Sequence, residues 1–501
     1  MLEIILSMFA TDTWSTYVTI LLVIYAMVII FFVVRGMIRT KNINDFAIGS
    51  KGFPAWAVGL SLAASMTSAA TFIINPGFIA LYGFSGIISF GIVMPIAIFA
   101  SLIFFTKAFQ KYGSTVKAVT MAQWIGKRYD SKAMTIFFAI LSLLLITFIV
   151  LICVGLTQII SKSLNIEPFW VLLGLVVFVF GYMMFGGANS MVYTNSIQAI
   201  LMFIVAIMLL YSGADYFTEG FDGFVSTLRN IDPNLVKPTN EDSFLFRDYF
   251  EIIFCQIVIG IAIVCQPHII TKTLFLKSEK SVNQYLVIAI ICMILFFLVV
   301  VVGLYSRVLF PDLTFNGEPL QMDELVSAYV VKTFTAGAGV IIVAGLISAG
   351  LSTLENLIQS LSTTISTDLI TPLFPAVKTI SGVALNKIVI VVLAIASFLL
   401  SYDQIKNPNV SVAIFAQNGV YAYFAAAFVP VLFGIYFKKV KKNAVFIASI
   451  SAVALHFIIY YGRITKYMQE PVNNPGVSAA IAIIVSLLIA YFLYLISKKK
   501  A

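Results

Sequence analysis

The stretch from Ala344 to Ile370 reads AGLISAGLSTLENLIQSLSTTISTDLI, and it decides the fold expected for this chain. Two rows of polar residues run along it at alternating spacings of three and four, which place each row on one face of an α-helix. The first row comprises Ser348, Ser352, Glu355, Gln359, Ser362 and Ser366, and the second Thr353, Asn356, Ser360, Thr363 and Thr367. Nearly half of the helix surface is therefore polar, and this face is expected to point away from lipid.

Glu355 is the residue of this stripe that is most costly to bury. An acidic side chain at the centre of a bilayer costs roughly 2.5–3.5 kcal/mol on insertion scales, and such residues usually mark ion or proton pathways. Two interpretations stay open: an ion or proton site, and a protonated structural Glu that is bonded to a neighbour. The hydroxyl groups can likewise line a cation site, bond their own backbone or join helices.

The composition of the whole chain places it in a membrane. Of its 501 residues, 61% are hydrophobic and 11% charged, and the mean hydropathy is +1.03. Soluble chains are about half apolar and about a quarter charged, so a water-soluble enzyme is excluded. The net charge of +9 is spread between apolar runs, which argues against a nucleic-acid-binding arm.

Thirteen segments are long and apolar enough to cross a bilayer as helices. They are expected at roughly 14–35, 54–82, 83–108, 130–160, 169–186, 188–216, 247–275, 281–309, 332–370, 386–402, 410–436, 443–461 and 476–497. Most Lys and Arg residues, Lys272 among them, fall beside alternate segment ends. This asymmetry predicts an N-terminus outside and a C-terminus in the cytoplasm, with residues 217–246 as an external loop.

A second anomaly lies in segment 54–82, where AASMTSAAT at residues 63–71 is followed by Asn75, Pro76 and Gly77. Small hydroxyl residues and a Pro-Gly pair weaken a helix. A helix broken within the membrane frees carbonyl groups for a sodium ion, as in many secondary transporters. Sodium, a hard cation, is satisfied by carbonyl, hydroxyl and carboxylate oxygens. An ordinary proline kink is the alternative interpretation.

Four motifs, in this order, resemble those of the sodium/solute symporter family, which includes bacterial proline, sialic acid and galactose symporters. They are Ala64-Ser65-Met66-Thr67-Ser68, Phe185-Gly186-Gly187 with Val192-Tyr193-Thr194-Asn195-Ser196-Ile197-Gln198, Gln266-Pro267-His268-Ile269-Ile270, and Ala349-Gly350-Leu351-Ser352-Thr353. The resemblance covers approximately residues 40–440.

The resemblance implies an all-α LeuT-type core of two inverted five-helix repeats within a single transmembrane transporter domain over residues 1–501. The repeats would be 54–216 and 247–436, with an extra helix at 14–35 and two more over 443–497. By the same resemblance, the sodium site would take carbonyl oxygens of Ala64, Thr67 and Ala349 and hydroxyl oxygens of Ser352 and Thr353.

The chain departs from the family at the position of a second sodium site. Some members use an Asp where this chain has Asn195, and serines where it has Glu355 and Asn356. Relative to those members, this chain loses a carboxylate at Asn195 and gains one at Glu355, in the same neighbourhood. The hypothesis is therefore a rearranged second cation site at Glu355, Asn356 and Asn195.

The solute is expected to be a small organic acid, amino acid or similar metabolite. By the same resemblance, galactose-type members hold sugar hydroxyls with a Gln and a Glu. This chain has Thr71 and Phe90 at those positions, which argues against a sugar. The candidate solute-binding residues are Thr71, Asn75, Phe90 and Gln417. Gln266, Pro267 and His268, near the expected cytoplasmic end of their segment, are assigned to gating or packing.

These observations predict a sodium-coupled symporter in the cell membrane that imports a small organic solute. Sodium is the coupling ion, and no organic cofactor, nucleic acid or obligate protein partner is expected. An enzyme is not expected, because His268 and His456, the two histidines, have no catalytic partners in sequence. The alternatives are proton coupling through Glu355 and a transporter-like membrane sensor.

Overall fold

Most of the described chain is helical, as expected where lipid forces backbone polar groups to bond within their own segment. The computed structural model describes residues 12–49, 52–164, 166–276, 278–315, 317–320, 322, 324–407, 412–437, 440–469 and 472–499. Residues 410 and 411, the expected start of one span, lie outside the described residues.

The helices of the first half are α1 (Asp12–Arg39), α2 (Ile43–Ile48), α3 (Ala55–Met66), α4 (Ala70–Tyr82), α5 (Phe84–Thr115), α6 (Met121–Arg128), α7 (Lys132–Leu164), α8 (Pro168–Tyr211) and α9 (Gly220–Ile231). Those of the second half are α10 (Phe250–Cys265), α11 (Pro267–Phe275), α12 (Glu279–Leu309), α13 (Leu325–Thr333), α14 (Ala336–Leu373), α15 (Gly382–Lys406), α16 (Val412–Tyr436), α17 (Lys442–Tyr461) and α18 (Pro475–Lys499). Two short antiparallel hairpins pair Thr314–Phe315 with Glu318–Pro319 and Met468–Gln469 with Val472–Asn473.

Ten of the described helices are long and apolar enough to cross a membrane, and two bent pairs bring the number to twelve. The 44-residue α8 contains one non-helical residue, Gly187, with φ 54° and ψ −156°. A Cβ at Gly187 would lie 2.8 Å from the carbonyl oxygen of Phe46, so only glycine fits there without strain. The expected boundary between two spans falls at this break, and the total of thirteen spans stays a prediction.

The two bent pairs interrupt helices that would otherwise cross the membrane in one piece. α3 and α4 meet at 55°, and Thr67, between them, has an extended backbone. α10 and α11 meet at 60° at Gln266, whose extended conformation is the one favoured before a proline. The break in segment 54–82 was expected, but Pro76 and Gly77 do not cause it: they lie inside α4, where Pro76 occupies the first turn of the α-helical part.

The molecule exposes many large apolar side chains and buries polar ones, which suits a protein in lipid. In α14 and α16, 83% of the most apolar 18-residue stretch is buried within the protein, against 17% of the corresponding stretch in α1. Large apolar side chains such as Phe31, Phe104 and Phe492 face outward. The polar stripe of α14 is buried as predicted, except for Thr367 at its end, which is partly buried.

Two expected boundaries are corrected. The segment expected at 332–370 begins as α14 at Ala336, because α13 ends at Thr333 before it. The expected loop 217–246 contains α9 and a 3₁₀ turn at Pro233–Val236, since α9 buries Phe224 and Leu228 as an amphipathic helix.

Candidate functional site

The break between α3 and α4 lies against the polar face of α14. The Ser352 hydroxyl is 2.8 Å from the carbonyl oxygen of Ala64 and 3.0 Å from that of Ala349. The Thr353 hydroxyl lies 3.3 Å from the carbonyl oxygens of both Ser65 and Ala349. Residues almost 300 positions apart in sequence thus bring hydroxyl and carbonyl oxygens together inside the helix bundle.

The oxygens of Ala64, Ala349, Ser352 and Thr353 that these contacts join are of the type that binds a monovalent hard cation. The Thr67 hydroxyl bonds Ala63, and no hydrogen bond among the described residues joins Thr67 to the cluster. Ala64, Thr67, Ala349, Ser352 and Thr353 are all fully buried. Ala64 is in the last turn of α3 and Thr67 directly follows it, so both carbonyls lie where a helix no longer supplies partners. The donors are neutral oxygens, which bind sodium without holding it too tightly for release. The assignment of these five residues as sodium ligands stays a prediction.

Glu355 is fully buried one turn beyond Ser352, and its partners all come from α8. Tyr182 donates to Oε1 at 2.6 Å, Gln198 donates to Oε1 at 3.1 Å, and the Thr194 hydroxyl lies 2.8 Å from Oε2. The sequence indicated Glu355 but not these partners. Their long-range contacts carry no signal in a single sequence.

The structure does not join Glu355, Asn356 and Asn195 by hydrogen bonds among the described residues. Asn195 donates to the hydroxyl of Ser61 at 3.2 Å, and Asn356 donates to the carbonyl oxygen of Ser352. Within the described chain, the side-chain oxygens of both Asn195 and Asn356 are buried without a hydrogen-bond partner. The second cation site at these three residues stays a hypothesis.

Lys272, counted from the sequence among the basic residues beside span ends, is buried in the structure. Its side chain is 1% exposed, and Nζ donates to the carbonyl and hydroxyl oxygens of Ser61 at 3.0 and 2.6 Å. The reason is the break at Gln266: α11 starts again at Pro267 and carries Lys272 back against α3. The X-Pro pair was the available signal for that break.

A cavity of about 120 Å³ adjoins the α3–α4 break. All four candidate solute-binding residues, Thr71, Asn75, Phe90 and Gln417, line it. The other residues of the wall that carry polar groups are Ser65, Ser68, Gln266, His268 and Tyr421, and the apolar wall includes Met66, Phe148 and Phe297. No Lys, Arg, Asp or Glu of the described chain lines this cavity.

His268 and Gln266 lie in the cavity wall, and their expected position near the cytoplasmic end of a span stays a prediction. His268 is 2% exposed, and neither ring nitrogen has a hydrogen-bond partner within the described residues. Gln266 donates to Ile263 at 3.2 Å, and its Oε1 is likewise unpartnered. Pro267 begins α11. These unpaired polar groups suit contact with a polar solute, because buried polar groups otherwise lose the hydrogen bonds they make in water. Gating or packing by these residues stays a prediction.

The sequence of the chain is similar to that of known membrane symporters. The profile of the Sodium:solute symporter family matches residues 46–451. The Sodium/pantothenate symporter of Escherichia coli strain K12 is 26% identical over 466 residues, which cover 91% of this chain and 90% of that protein. The High-affinity proline transporter PutP of Bacillus subtilis strain 168 is 23% identical over 458 residues, covering 88% of this chain and 92% of that protein.

A solved structure shares the fold. It is the substrate-bound, outward-open state of a Na⁺-coupled sialic acid symporter, with a TM-score of 0.76 and 17% identity over 95% of this chain and 98% of that one. A nucleobase-cation-symport-1 family transporter matches with a TM-score of 0.52 and 14% identity. The expected fold class, an all-α membrane protein of LeuT type, is confirmed.

Proposed function

The chain belongs to the Sodium:solute symporter family, a family of transporters and not of enzymes, and we propose that it couples sodium entry to uptake of a small organic acid or amino acid. The coupling ion of this family is sodium.

One observation carries the proposal: the contact between the Ser352 hydroxyl and the Ala64 carbonyl oxygen at 2.8 Å. It supports a sodium ion between α3 and α14, bound by the carbonyl oxygens of Ala64, Thr67 and Ala349 and the hydroxyl oxygens of Ser352 and Thr353. The oxygens are buried and neutral, as a site that binds and releases sodium in every cycle requires.

Ser65 supports coupling between the two sites. Its carbonyl oxygen lies 3.3 Å from the Thr353 hydroxyl, and the same residue lines the cavity. A sodium ion that fixes the backbone around Ser65 would also fix part of the solute's binding surface. Sodium would then bind first and raise solute affinity by removing alternative conformations of the break.

The cavity chemistry supports an acid or amino acid as solute. Neutral donors from Thr71, Asn75, Gln266, His268 and Gln417 can receive a carboxylate or an amide, and an apolar wall can cover a short carbon skeleton. The similarity to a sodium/pantothenate symporter and a proline transporter supports the same chemical class.

Glu355 is the residue through which the proton-coupled alternative would operate. Tyr182 and Gln198 donate to its Oε1, and the Thr194 hydroxyl lies beside Oε2. That hydroxyl can donate to a carboxylate, or it can accept from a protonated Glu355 while it donates to the Met191 carbonyl oxygen at 3.1 Å. The proposal of sodium coupling therefore rests on the oxygens around Ser352 and not on Glu355.

We propose a topology with the N-terminus outside and the C-terminus in the cytoplasm of the cell membrane. The distribution of Lys and Arg beside alternate span ends supports this orientation. Lys272 is buried and does not count toward it. Residues 54–216 and 247–436 would form the two repeats whose relative rocking exposes the cavity to either side.

Uptake into proteoliposomes tests the proposal. A thermal-stability screen of small acids and amino acids, pantothenate and proline included, is run first in NaCl and in KCl, since a ligand specific to the sodium-bound state stabilises only in sodium. The stabilising compound is then used for uptake. Wild type and Ser362→Ala should accumulate it under a sodium gradient, because Ser362 bonds only within its own helix among the described contacts. Ser352→Ala should not, and sodium-driven uptake by Ser352→Ala at the wild-type rate would contradict the proposal.

A further inference from the structure

Lys272 joins the short helix α11 to α3 inside the protein. The Lys272 side chain is 1% exposed, and Ser61 is fully buried. Nζ of Lys272 donates to the carbonyl oxygen of Ser61 at 3.0 Å and to its hydroxyl at 2.6 Å. An ammonium has three N–H donors and a neutral amine has two, so both bonds can form whatever the charge of Lys272.

These two bonds attach α11 to a neighbouring helix. Among the described residues, the other side-chain hydrogen bonds of α11 stay within the helix, since Thr271 donates to Pro267 at 2.5 Å and Thr273 donates to Ile270 at 2.8 Å. A helix this short is not stable alone and takes its position from tertiary contacts. The bonds of Lys272 therefore help to fix α11 against α3.

Ser61 lies one turn before the proposed sodium site, on the same helix. Ser61 and Ala64 are three residues apart within α3, so they share a face of that helix. The carbonyl oxygen of Ala64 accepts from the Ser352 hydroxyl at 2.8 Å. An ion that holds this end of α3 would also restrict the motion of Ser61.

The other end of the connection lies in the cavity wall. His268, one turn before Lys272 in α11, lines the cavity, as does Gln266 directly before the helix. Both carry polar atoms that have no hydrogen-bond partner among the described residues. The position of α11 therefore decides where these groups stand in the cavity.

We propose that Lys272 is a positioning residue that ties α11 to α3 through Ser61, so that sodium binding at the α3–α4 break also orders the α11 wall of the cavity. The inference rests on the proposed sodium site at Ala64 and Ser352. It adds a second connection between ion and solute, separate from the one through Ser65.

Hydrogen–deuterium exchange of the purified protein in detergent micelles, without solute, tests this connection. Exchange is compared in saturating NaCl and in KCl of the same ionic strength, for residues 63–71 at the α3–α4 break and residues 268–275 in α11. In the wild type, sodium should slow exchange by about fivefold or more in both segments, because ordered segments open less often.

The wild type alone already separates the two claims. Slowing at residues 63–71 without slowing at 268–275 would overturn the inference and leave the proposed sodium site intact. No slowing in either segment would contradict the sodium site itself, and the inference would fall with it.

Lys272→Met keeps the length of the side chain and removes its N–H donors. Sodium should still slow exchange at residues 63–71 to within about twofold of the wild-type effect, whereas the slowing at 268–275 should fall below about twofold. A merely structural role would speed exchange in α11 equally in NaCl and in KCl and would preserve the sodium effect. Slowing of wild-type size at 268–275 in this variant would overturn the inference.

Gln110→Met is the matched control. Gln110 Nε2 donates at 3.0 Å to the carbonyl oxygen of Leu276, directly after α11, and ties that end of the helix to α5. The variant removes a buried tether of the same kind but leaves Lys272 and Ser61 joined. Sodium should slow exchange at residues 268–275 to within about twofold of the wild-type effect. An equal loss in Gln110→Met and Lys272→Met would contradict a specific role for Lys272.

Ser61→Ala keeps the test decisive if Lys272→Met does not fold. The variant removes the hydroxyl acceptor and retains the carbonyl acceptor, so the sodium-dependent slowing at residues 268–275 should shrink by about twofold or more. An undiminished effect in α11 would overturn the inference.

Discussion

The Thr353 hydroxyl lies 3.3 Å from the carbonyl oxygen of Ser65, a residue that also lines the cavity. This contact joins α14 to the break between α3 and α4 at the point where the cavity begins. In the proposed mechanism, an ion held at the break therefore acts on the solute's binding surface through one residue.

Thr353→Val is expected to weaken sodium binding by about tenfold, because it keeps the shape of the side chain and removes one oxygen ligand. Thr353→Ser should keep most of the affinity. The measurement is the sodium concentration that gives half of the maximal thermal stabilisation. Thr363→Val is the matched control, since the Thr363 hydroxyl donates at 2.8 Å to the Gln359 carbonyl oxygen of its own helix. Equal sodium affinities for Thr353→Val and Thr363→Val would contradict the assignment.

His268→Leu is expected to lower solute affinity by about tenfold or more, because a buried hydrogen bond to a charged group contributes about 1.5–3 kcal/mol. Sodium binding without solute should change by less than about twofold. Isothermal titration with the compound found in the thermal screen measures both. Undiminished solute affinity would remove His268 from the proposed binding site.

His456→Leu should show the opposite behaviour and serves as the control for His268. His456 Nε2 lies 2.9 Å from the Asn418 side-chain oxygen, and Nδ1 lies 3.1 Å from the Ser478 hydroxyl. Its loss leaves buried groups unpaired, which costs about 1–3 kcal/mol of stability. The melting temperature should fall while solute affinity in the folded fraction stays within about twofold.

Gly187→Ala is expected to destabilise the protein by more than about 2 kcal/mol. The residue has φ +54°, and a Cβ would lie 2.7–3.0 Å from atoms of Phe46; strained backbone of this kind alone costs about 1–3 kcal/mol. Gly181→Ala, in the same helix, meets nothing within 4 Å and should be neutral or stabilising by up to about 1 kcal/mol. Melting temperatures that fall equally in both variants would contradict the role given to this break.

Asp248, which precedes α10, gives a pH-dependent prediction outside the membrane-spanning segments. Partial burial raises its pKa, but hydrogen bonds from the Tyr467 hydroxyl, the Glu251 backbone and Lys466 outweigh that effect and lower the pKa below its usual value. A lowered folded-state pKa stabilises the fold above the unfolded-state pKa of about 3.9, and this stability is lost as the pH falls through the folded-state value. Asp248→Asn should therefore lower the free energy of unfolding at pH 7 by a small amount, on the order of 1 kcal/mol or less, and lower the melting temperature accordingly. The difference from wild type should shrink as the pH falls below about 4, and a difference that grows in acid would contradict the sign.

Residue spacing predicted the inner face of α14, because the polar rows recur with the helical period and lipid excludes them from the surface. It also predicted a break near Thr67, where small and hydroxyl residues weaken the helix. The pairing of Ser352 with Ala64 came from the resemblance, since a helical period says which residues share a face and not which helix lies opposite.

Other parts of the site depend on contacts that are distant in sequence. The donors to Glu355 lie more than 150 residues away on α8, and no local pattern connects them with α14. The burial of Lys272 was not predicted because the break at Gln266 was missed, although the following proline signalled it. A charge near the end of an apolar segment was taken as solvated, whereas after the bend it packs against α3 and is buried.

Equilibrium binding of ²²Na⁺ to purified protein without solute tests the central claim most directly. The account predicts saturable binding by wild type and by Ser362→Ala, and a loss of at least about tenfold in affinity for Ser352→Ala. Ser352→Ala that binds sodium with the wild-type affinity would contradict the placement of the coupling ion between α3 and α14.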